Sequence, residues 1–471
     1  MNSVFSTKEF RKIELETIKQ KNLSEADLMY QAGYMLTKDF LSRLQPNVFD
    51  EIVIISNSGN NGGDALVMFK ELKTRGYKVK IFFIGQPEKT SMAYKHYYKE
   101  VSLKLEASEI LKIPKFEEAK YIIDGIFGIG LIRDIKGKYS ELIEMINDSQ
   151  SIIYSIDLPS GIHPDSGKVM NVAIKADYTG VLGYYKTGNL LNKAQDYHGE
   201  IRLLDIGLIS VDSNIHLVEL DDIDIKEKRK FDTNKYTYGN LAFVGSSKLP
   251  GAINMSALSA LRNGSGLASV YYDEEIVRFY PDLLYKSLDK NADLSKYDVV
   301  VFGPGINEKN SLYLNLLNKL IEETKVVVDA LSIEMIDQSK NLKSVIITPH
   351  LGELSRLLKI DKLLILDDPI LHLRTLAKKG LTIILKGATS IIQYQDNTYL
   401  LQSRNPGLAK AGTGDVLAGL IGSFYHNTNQ LEACLKAYKI HALASYQARE
   451  KYSETGFLAS DLIEEIGKVK R

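Results

Sequence analysis

The sequence predicts an α/β protein of two domains, each built on a mostly parallel sheet with flanking helices. Three observations carry that expectation. At 471 residues the chain exceeds what one hydrophobic core organises. Short apolar runs that end in glycine- or aspartate-bearing turns recur along it, each followed by residues at helical spacing. Residues 208–232 break that alternation: the segment is charge-dense, lacks a core period, and its DDIDIKEKRK (221–230) reads as a solvated crossing. The boundary is set near residue 215, giving domains 1–215 and 216–471.

Composition narrows the function classes. Lys+Arg and Asp+Glu are both 59, and a formal charge of zero argues against a general nucleic-acid or anionic-membrane binder. The single cysteine, Cys434, excludes an intramolecular disulfide and a cysteine-based zinc cluster, and fits a reducing compartment. No apolar run reaches membrane-spanning length and the first residues are polar, so a cytoplasmic protein with no membrane partner is expected.

Taken in order, residues 8–44 read as two helices, the second capped by Ser24 and stopped by Pro46. EIVIIS (51–56) is a strand, and the turn NSGNNGGDALV (57–67) leads into a helix through Phe69 and Leu72. Gly62 and Gly63 let a ligand approach the backbone, and Asn60, Asn61 and Asp64 supply oxygens and donors; the same residues also suit a polar turn with a capped helix. The run is neither the dinucleotide fingerprint nor a lysine-bearing phosphate loop. KVKIFFIG (78–85) is a strand, and 94–105 a helix or loop. Asp124 then ends a strand, Gly125, Gly128 and Gly130 make a flexible loop with Arg133 past it, and a helix covers 139–146. In SIIYSIDLPSG (151–161) Asp157 ends a strand and Ser160 lies in the turn. Three strand ends thus present Asn61, Asp124, Asp157 and Ser160 for one crevice, with oxygens that suit a hard cation or a polar substrate.

The second half repeats the pattern. Strands are expected within 239–247 and 298–307, the latter running into Gly303-Pro304-Gly305, with a helix and strand between them. Further strands end at Asp329 and at Thr348, with His350 and Glu353 just after, and 381–393 is hairpin-like with Lys386-Gly387 at its bend. In AGTGDVLAG (411–419) the small-residue loop Ala411, Gly412, Thr413, Gly414 runs into Asp415, and Val416, Leu417, Leu420, Ile421 and Phe424 mark the buried face of a helix. Such a loop offers backbone N–H groups to an anion at a helix start. Asp415 there is either a helix cap or a group that takes a proton from a hydroxyl while the N–H groups hold phosphoryl charge. Cys434 lies in a helical run as buried packing.

The runs QAGYML (31–36), GNNGGD (59–64), DGIFGIGLIRD (124–134), SIDLPSG (155–161), YYKTGNLL (184–191) and GEIRLLDIG (199–207) resemble the N-terminal epimerase domain of bifunctional NAD(P)H-hydrate repair enzymes, a Rossmann-like open sheet. The resemblance covers most of residues 1–210. It implies K+ held by Asn61, Asp124 and Ser160. It also implies a hydrated nicotinamide nucleotide against Asn60, Asn61, Gly62, Gly63 and Asp64, against Gly128, Ile129, Gly130, Leu131, Ile132, Arg133 and Asp134, and against Asp157. Ala65 and Ile129 depart from the family's usual glycine and threonine.

KYTYGNLAFVGSS (235–247), ALRNGSGL (260–267), FGPGI (302–306), TPHLGELSRL (348–357) and NPGLAKAGTGDVLAG (405–419) resemble the ADP- or ATP-dependent NAD(P)H-hydrate dehydratase branch of the ribokinase-like superfamily. That resemblance implies adenine-nucleotide binding by Lys386, Gly387, Ala388 and Thr389 and by Ala411, Gly412, Thr413 and Gly414. Ala252, Gly305, His350 and Asp415 would face the hydrated nicotinamide. Read alone, His350 is a turn histidine, Lys386 a solvated lysine and Arg133 a surface charge; the matched motifs make them site candidates. Val327 replaces the first aspartate of the family's Asp-Ala-Asp run, leaving Asp329, and a mainly structural role is expected for the missing group.

The resemblance implies a repair reaction in two steps. The first domain interconverts the R and S hydrates with Asp157 as acid/base. In the second, Asp415 deprotonates the ring hydroxyl of the S form, a phosphoryl group arrives from ADP or ATP with Mg2+, and loss of phosphate restores NADH or NADPH. The expected partners are these small molecules, with no nucleic acid, in a homo-oligomer. The alternative is a kinase for a vitamin precursor or sugar, with the first half a ligand-binding module.

Overall fold

The computed structural model describes residues 1–85, 90–102, 116–273, 278–289 and 292–470. The chain divides into two compact units, Asn2–Ile215 and His216–Arg471, the latter also counting Met1.

The first unit opens with a strand the sequence did not announce, β1 (Asn2–Phe5). Helix α1 (Thr7–Lys21) starts in a capping box, Ser6 accepting from the Glu9 N–H while the Glu9 carboxylate accepts from that of Ser6. Helix α2 (Glu25–Leu44) is capped by Ser24 in the same way, with Asp27 as the partner. There follow β2 (Ile52–Asn57), α3 (Asn60–Thr74), β3 (Val79–Ile84), α4 (Met92–Ser102), β4 (Tyr121–Gly125), α5 (Lys138–Asn147) and β5 (Ile152–Ile156), then β6 (Tyr178–Leu182), β7 (Tyr185–Lys186), α6 (Thr187–Leu190) and β8 (Glu200–Leu204). The ambiguous stretch 94–105 is helical through Ser102, and residues 103–105 lie outside the described residues. The sheet runs β3-β2-β4-β5-β6-β8 with every pair parallel. The chain leaves β2 toward β3 on one side and returns to β4 on the other, so the crevice beyond β2 and β4 is the switch point where open sheets bind ligands.

In the second unit a short β9 (Ile215–Leu217) at the junction is followed by β10 (Asn240–Gly245), α7 (Pro250–Asn263), β11 (Leu267–Tyr272), β12 (Leu284–Ser287), β13 (Val299–Phe302), α8 (Ser311–Glu323), β14 (Lys325–Val328) and β15 (Val345–Ile347). Then come α9 (Leu351–Leu358), α10 (Lys362–Asp367), α11 (Pro369–Ala377), β16 (Thr382–Leu385), β17 (Thr389–Tyr394), β18 (Asn397–Gln402), α12 (Thr413–Tyr425), α13 (Gln430–Tyr452) and α14 (Ala459–Ile466). The sheet runs β12-β11-β10-β13-β14-β15-β16-β17-β18, parallel as far as β16 and antiparallel through the expected hairpin. Here too the direction reverses, between β10 and β13. Val327 lies in β14 with no exposure, packed in the core that α7 and α12 share with the sheet. Cys434 is fully buried in α13, and burial pushes its thiol far up, so it stays protonated.

Two loops are shorter than the sequence suggests. The turn after β2 ends at Gly59, and Asn60–Asp64 already belong to α3. A Cβ at Gly62 would sit 1.7 Å from the Asn57 carbonyl oxygen, so the helix abuts the strand end there and only glycine fits. That contact outweighs the roughly 1 kcal/mol that glycine costs in a helix. Likewise Gly412, at φ +92°, is the cap of α12, and Thr413, Gly414 and Asp415 form its first turn.

Candidate functional site

In the first unit a cavity of about 580 Å³ opens beyond the carboxyl ends of β2, β4, β5 and β6. The start of α3 lends it Asn60, Asn61, Gly62 and Asp64; the loop after β4 lends Gly128, Ile129, Gly130 and Leu131; Asp157 enters from the end of β5. Gly63 turns away, with Met29 filling the space where a Cβ would go. Ile132, Arg133 and Asp134 stand exposed outside the wall. Helix α1 adds Phe10, Arg11 and Glu14, none of which the sequence motifs point to.

Asp157 holds a left-handed backbone, φ +61°, which a non-glycine residue adopts only when its surroundings fix it. They do so here. Its Oδ1 accepts from the Leu182 N–H at 2.9 Å and from the Lys186 ammonium at 2.5 Å, and Asn189 donates to its carbonyl at 3.0 Å. Lys186 is 1% exposed and spends its other two protons on the carbonyls of Leu182 and Tyr184, with the Phe10 ring 4.1 Å from its Nζ. Two more carboxyls surround this ion pair. Burial, then the charges of Asp157 and Glu14, push Asp64 well above the carboxylate range, against the opposing pull of Lys186. Burial also raises Glu14 to about 7, with Asp157 adding to the rise and Lys186 and Arg11 opposing it.

Asn61, Asp124 and Ser160 converge on the backbone of Phe127. The Asn61 amide donates to the Phe127 carbonyl at 3.1 Å, and the Ser160 hydroxyl reaches the same oxygen at 3.2 Å and Asp124 Oδ1 at 2.5 Å. Asp124 is completely buried and accepts further from Ser155, Ser160 N–H and Ile126 N–H. Burial nevertheless raises its pKa against those bonds. One carboxylate, a hydroxyl, an amide oxygen and a carbonyl form a donor set for a hard cation of low charge.

In the second unit the candidates gather beyond β10, β13, β14, β15 and β16. Gly305, at φ +82°, lies beside Ala252, whose Cβ is 3.4 Å from where its own would stand. One turn along α7, Met255 packs on Gly412, so α7 links the β10/β13 switch point to the start of α12. Asp329, after β14, accepts from the Thr348 hydroxyl at 2.5 Å and from Lys386 at 2.9 Å. Lys386 reaches the first turn of α12, its Nζ 3.3 Å from where a Gly414 Cβ would be. Burial lowers its pKa, yet the surrounding Asp329, Glu353 and Asp415 leave it raised, so it stays charged. Gly387 and Ala388 are exposed at the hairpin bend, whereas Thr389 is buried in β17 and Ala411 is exposed.

His350 caps α9, Nδ1 accepting from the N–H groups of Gly352 and Glu353, while Nε2 faces Glu353 at 3.4 Å. The bland reading of a turn histidine thus describes one ring nitrogen. Asp415 is partly buried at the positive end of α12. Burial and the charge of Asp329 raise it to about 7, Lys386 opposing and Glu353 adding. His441, a residue no motif singled out, supports that turn: buried and held near a pKa of about 4 by desolvation, it donates Nε2–H to the Thr413 carbonyl at 3.0 Å.

Comparison with known proteins shows which families the two units resemble. Residues 25–188 match the family described as YjeF-related protein N-terminus, and residues 241–468 the family described as NAD(P)H-hydrate dehydratase. The bifunctional NAD(P)H-hydrate repair enzyme Nnr of Coxiella burnetii is 32% identical over 486 residues, covering 98% of both chains. That of Thermofilum pendens is 30% identical over 501 residues, covering 98% of this chain and 95% of its own. Among solved structures, the ADP/ATP-dependent NAD(P)H-hydrate dehydratase of Bacillus subtilis co-crystallised with ATP/Mg2+ is 25% identical with a TM-score of 0.48, covering 51% of this chain and 92% of its own. The chain belongs to the family of bifunctional NAD(P)H-hydrate repair enzymes.

Proposed function

We propose that the protein restores hydrated NADH and NADPH in two steps, residues 1–215 interconverting the R and S hydrates and residues 216–471 dehydrating the S form at the expense of ADP or ATP. The observation that carries the second step is Asp415: a carboxyl raised to about 7, at the start of a helix and beside the Lys386–Asp329 pair. A base poised near neutral pH takes the proton of the ring hydroxyl as the phosphoryl group arrives. The α12 N–H groups of Thr413 and Gly414, with Lys386, hold the phosphoryl charge. Phosphate then leaves where hydroxide would leave poorly. Ala252 and Gly305, which lie side by side, would face the nicotinamide ring together with His350.

In the first unit Asp157 is the acid/base group, fixed by Lys186, and Asn60, Asn61, Gly62, Asp64 and the 128–131 loop receive the nucleotide. K+ held by Asn61, Asp124 and Ser160 would neutralise a buried carboxylate that pairs with no cation among the described residues, and would tie α3 to the loop after β4. Mg2+ would come with the nucleotide. Among the described residues no three His, Cys, Asp or Glu gather to hold a metal, so its ligands would be largely phosphate oxygens and water. No helix of the described residues is long and apolar enough to cross a membrane, and we infer a cytoplasmic homo-oligomer acting on small molecules.

The test is incubation of each purified epimer with ADP or ATP, following reduced-dinucleotide absorbance and free phosphate. Recovery of NAD(P)H with equimolar phosphate, from the S form directly and from the R form after conversion, supports the reading. A stable phosphorylated product would overturn it in favour of a kinase.

A further inference from the structure

We propose that Glu14 of α1 is the second proton-transfer group of the epimerising site, acting on the same ring hydroxyl as Asp157 from a different element of the cavity wall. The inference deepens the reading above and rests on it. Glu14 stands at a position outside residues 25–188, the segment that matches the N-terminal family, and in none of the motifs.

Geometry carries the assignment. Phe10, Glu14 and Ile18 succeed one another at four-residue steps along α1, so they form one stripe, and all three line the cavity. A carboxylate between an aromatic and an aliphatic neighbour on a cavity-facing stripe is expensive unless the site uses it. The helix is fixed there: the Thr7 N–H and hydroxyl both donate to Asp165, and the Phe10 ring lies under the Lys186 ammonium. Glu14 is thereby set one turn from the aromatic that packs on the Asp157 partner. Unlike Asp64, which is 7% exposed, Glu14 is partly open and can exchange its proton with water.

The two carboxyls differ in the way a proton relay needs. The charged groups that face Glu14 are Lys186, Asp157, Arg11, Glu25 and the buried Asp64, and burial dominates them, so a large share of it holds a proton near neutral pH. Asp157 is ion-paired with an ammonium that meets no other carboxylate among the described residues. Two carboxyls in environments that differ so much divide acid and base roles between them. Protonated Glu14 gives its proton to the hydroxyl, which departs as water while the ring nitrogen lone pair makes the C=N bond of a planar iminium. A water molecule adds to the other face of that carbon and Asp157 takes its proton. One C–O bond breaks, one forms, and one proton has passed from Glu14 to Asp157; the reverse direction returns it.

The test uses the full chain and both epimers. In Glu14→Gln, kcat for epimerisation should fall at least about a hundredfold, while ADP-dependent dehydration of purified S hydrate continues and reports a folded protein. The wild-type profile should lose activity as pH rises through about 7, where Glu14 gives up its proton, and Glu14→Asp should recover part of the rate. Epimerisation within threefold of wild type in Glu14→Gln overturns the assignment, as does an equal loss in Glu14→Asp with the same pH profile, which would mark Glu14 as structural. A wild-type chain that does not epimerise at all overturns the functional reading instead.

Discussion

Both units place a lysine at the carboxyl ends of their strands, Lys186 buried and Lys386 partly exposed, and the two choose different partners. In the first, Lys186 bonds the carboxylate proposed to do the chemistry, Asp157. In the second, Lys386 bonds a neighbour, Asp329, and acts on Asp415 only through space. The difference fits the two reactions. A reversible inversion draws on groups in distinct surroundings, and of the carboxyls at this site Asp157 is the one that holds the lysine. The base proposed for dehydration, Asp415, forms no ion pair among the described residues and sits in a partly buried turn, which leaves its carboxyl raised to about 7. An electrostatic environment is tuned as much by where a cation is withheld as by where it is put.

The largest expected effect comes from breaking the tighter pair. Lys186→Met leaves a buried carboxylate alone and should destabilise the first unit by about 3–5 kcal/mol, read by urea denaturation; Lys386→Met, at a partly exposed site, should cost clearly less stability. Equal losses would dissolve the contrast. Next is Asp415→Ala, which should slow dehydration at least about a hundredfold while nucleotide binding by calorimetry and epimerisation persist. Near-normal dehydration would remove Asp415 from its role.

Two close approaches sharpen the comparison further. A Cβ at Gly62 would meet the Asn57 carbonyl at 1.7 Å, and one at Gly419 the Ser256 carbonyl at 2.0 Å. Each Gly→Ala should destabilise by about 1–3 kcal/mol, Gly62→Ala damaging epimerisation alone and Gly419→Ala dehydration alone. Cross-effects in activity assays would contradict independent sites. Smallest is a pH effect. A carboxyl raised from the usual range to about 7 holds in the folded chain a proton that the unfolded chain releases, so stability falls as pH rises across that window. Asp415→Asn should therefore gain on the order of 1–2 kcal/mol at pH 8 and nothing at pH 4, by thermal denaturation. Wild-type dehydration should rise with pH through the same limb.

The strand–turn–helix rhythm, the hairpin bend at Lys386 and the helix start at Asp415 were legible because each is a local pattern of apolar spacing and small residues. Glu14 was not: along the chain it is one acidic residue among the charges of EFRKIELETIKQ, and only the docking of α1 turns it inward. Lys186 sits in a matched run, yet its partner Asp157 follows β5, 29 residues earlier in the chain. The start of α3 was misjudged for a third reason: two consecutive glycines argue for a loop until the strand end they must pass is known. Local signals mark elements; which buried charges meet is decided by the sheet order.

The Lys186–Asp157 contact also bears on how this site drifts. The two residues lie 29 positions apart, one 1% and the other 5% exposed, and losing either strands the opposite charge away from water. Every single-residue change that removes one of them meets that cost, so the pair is expected to be kept or lost together.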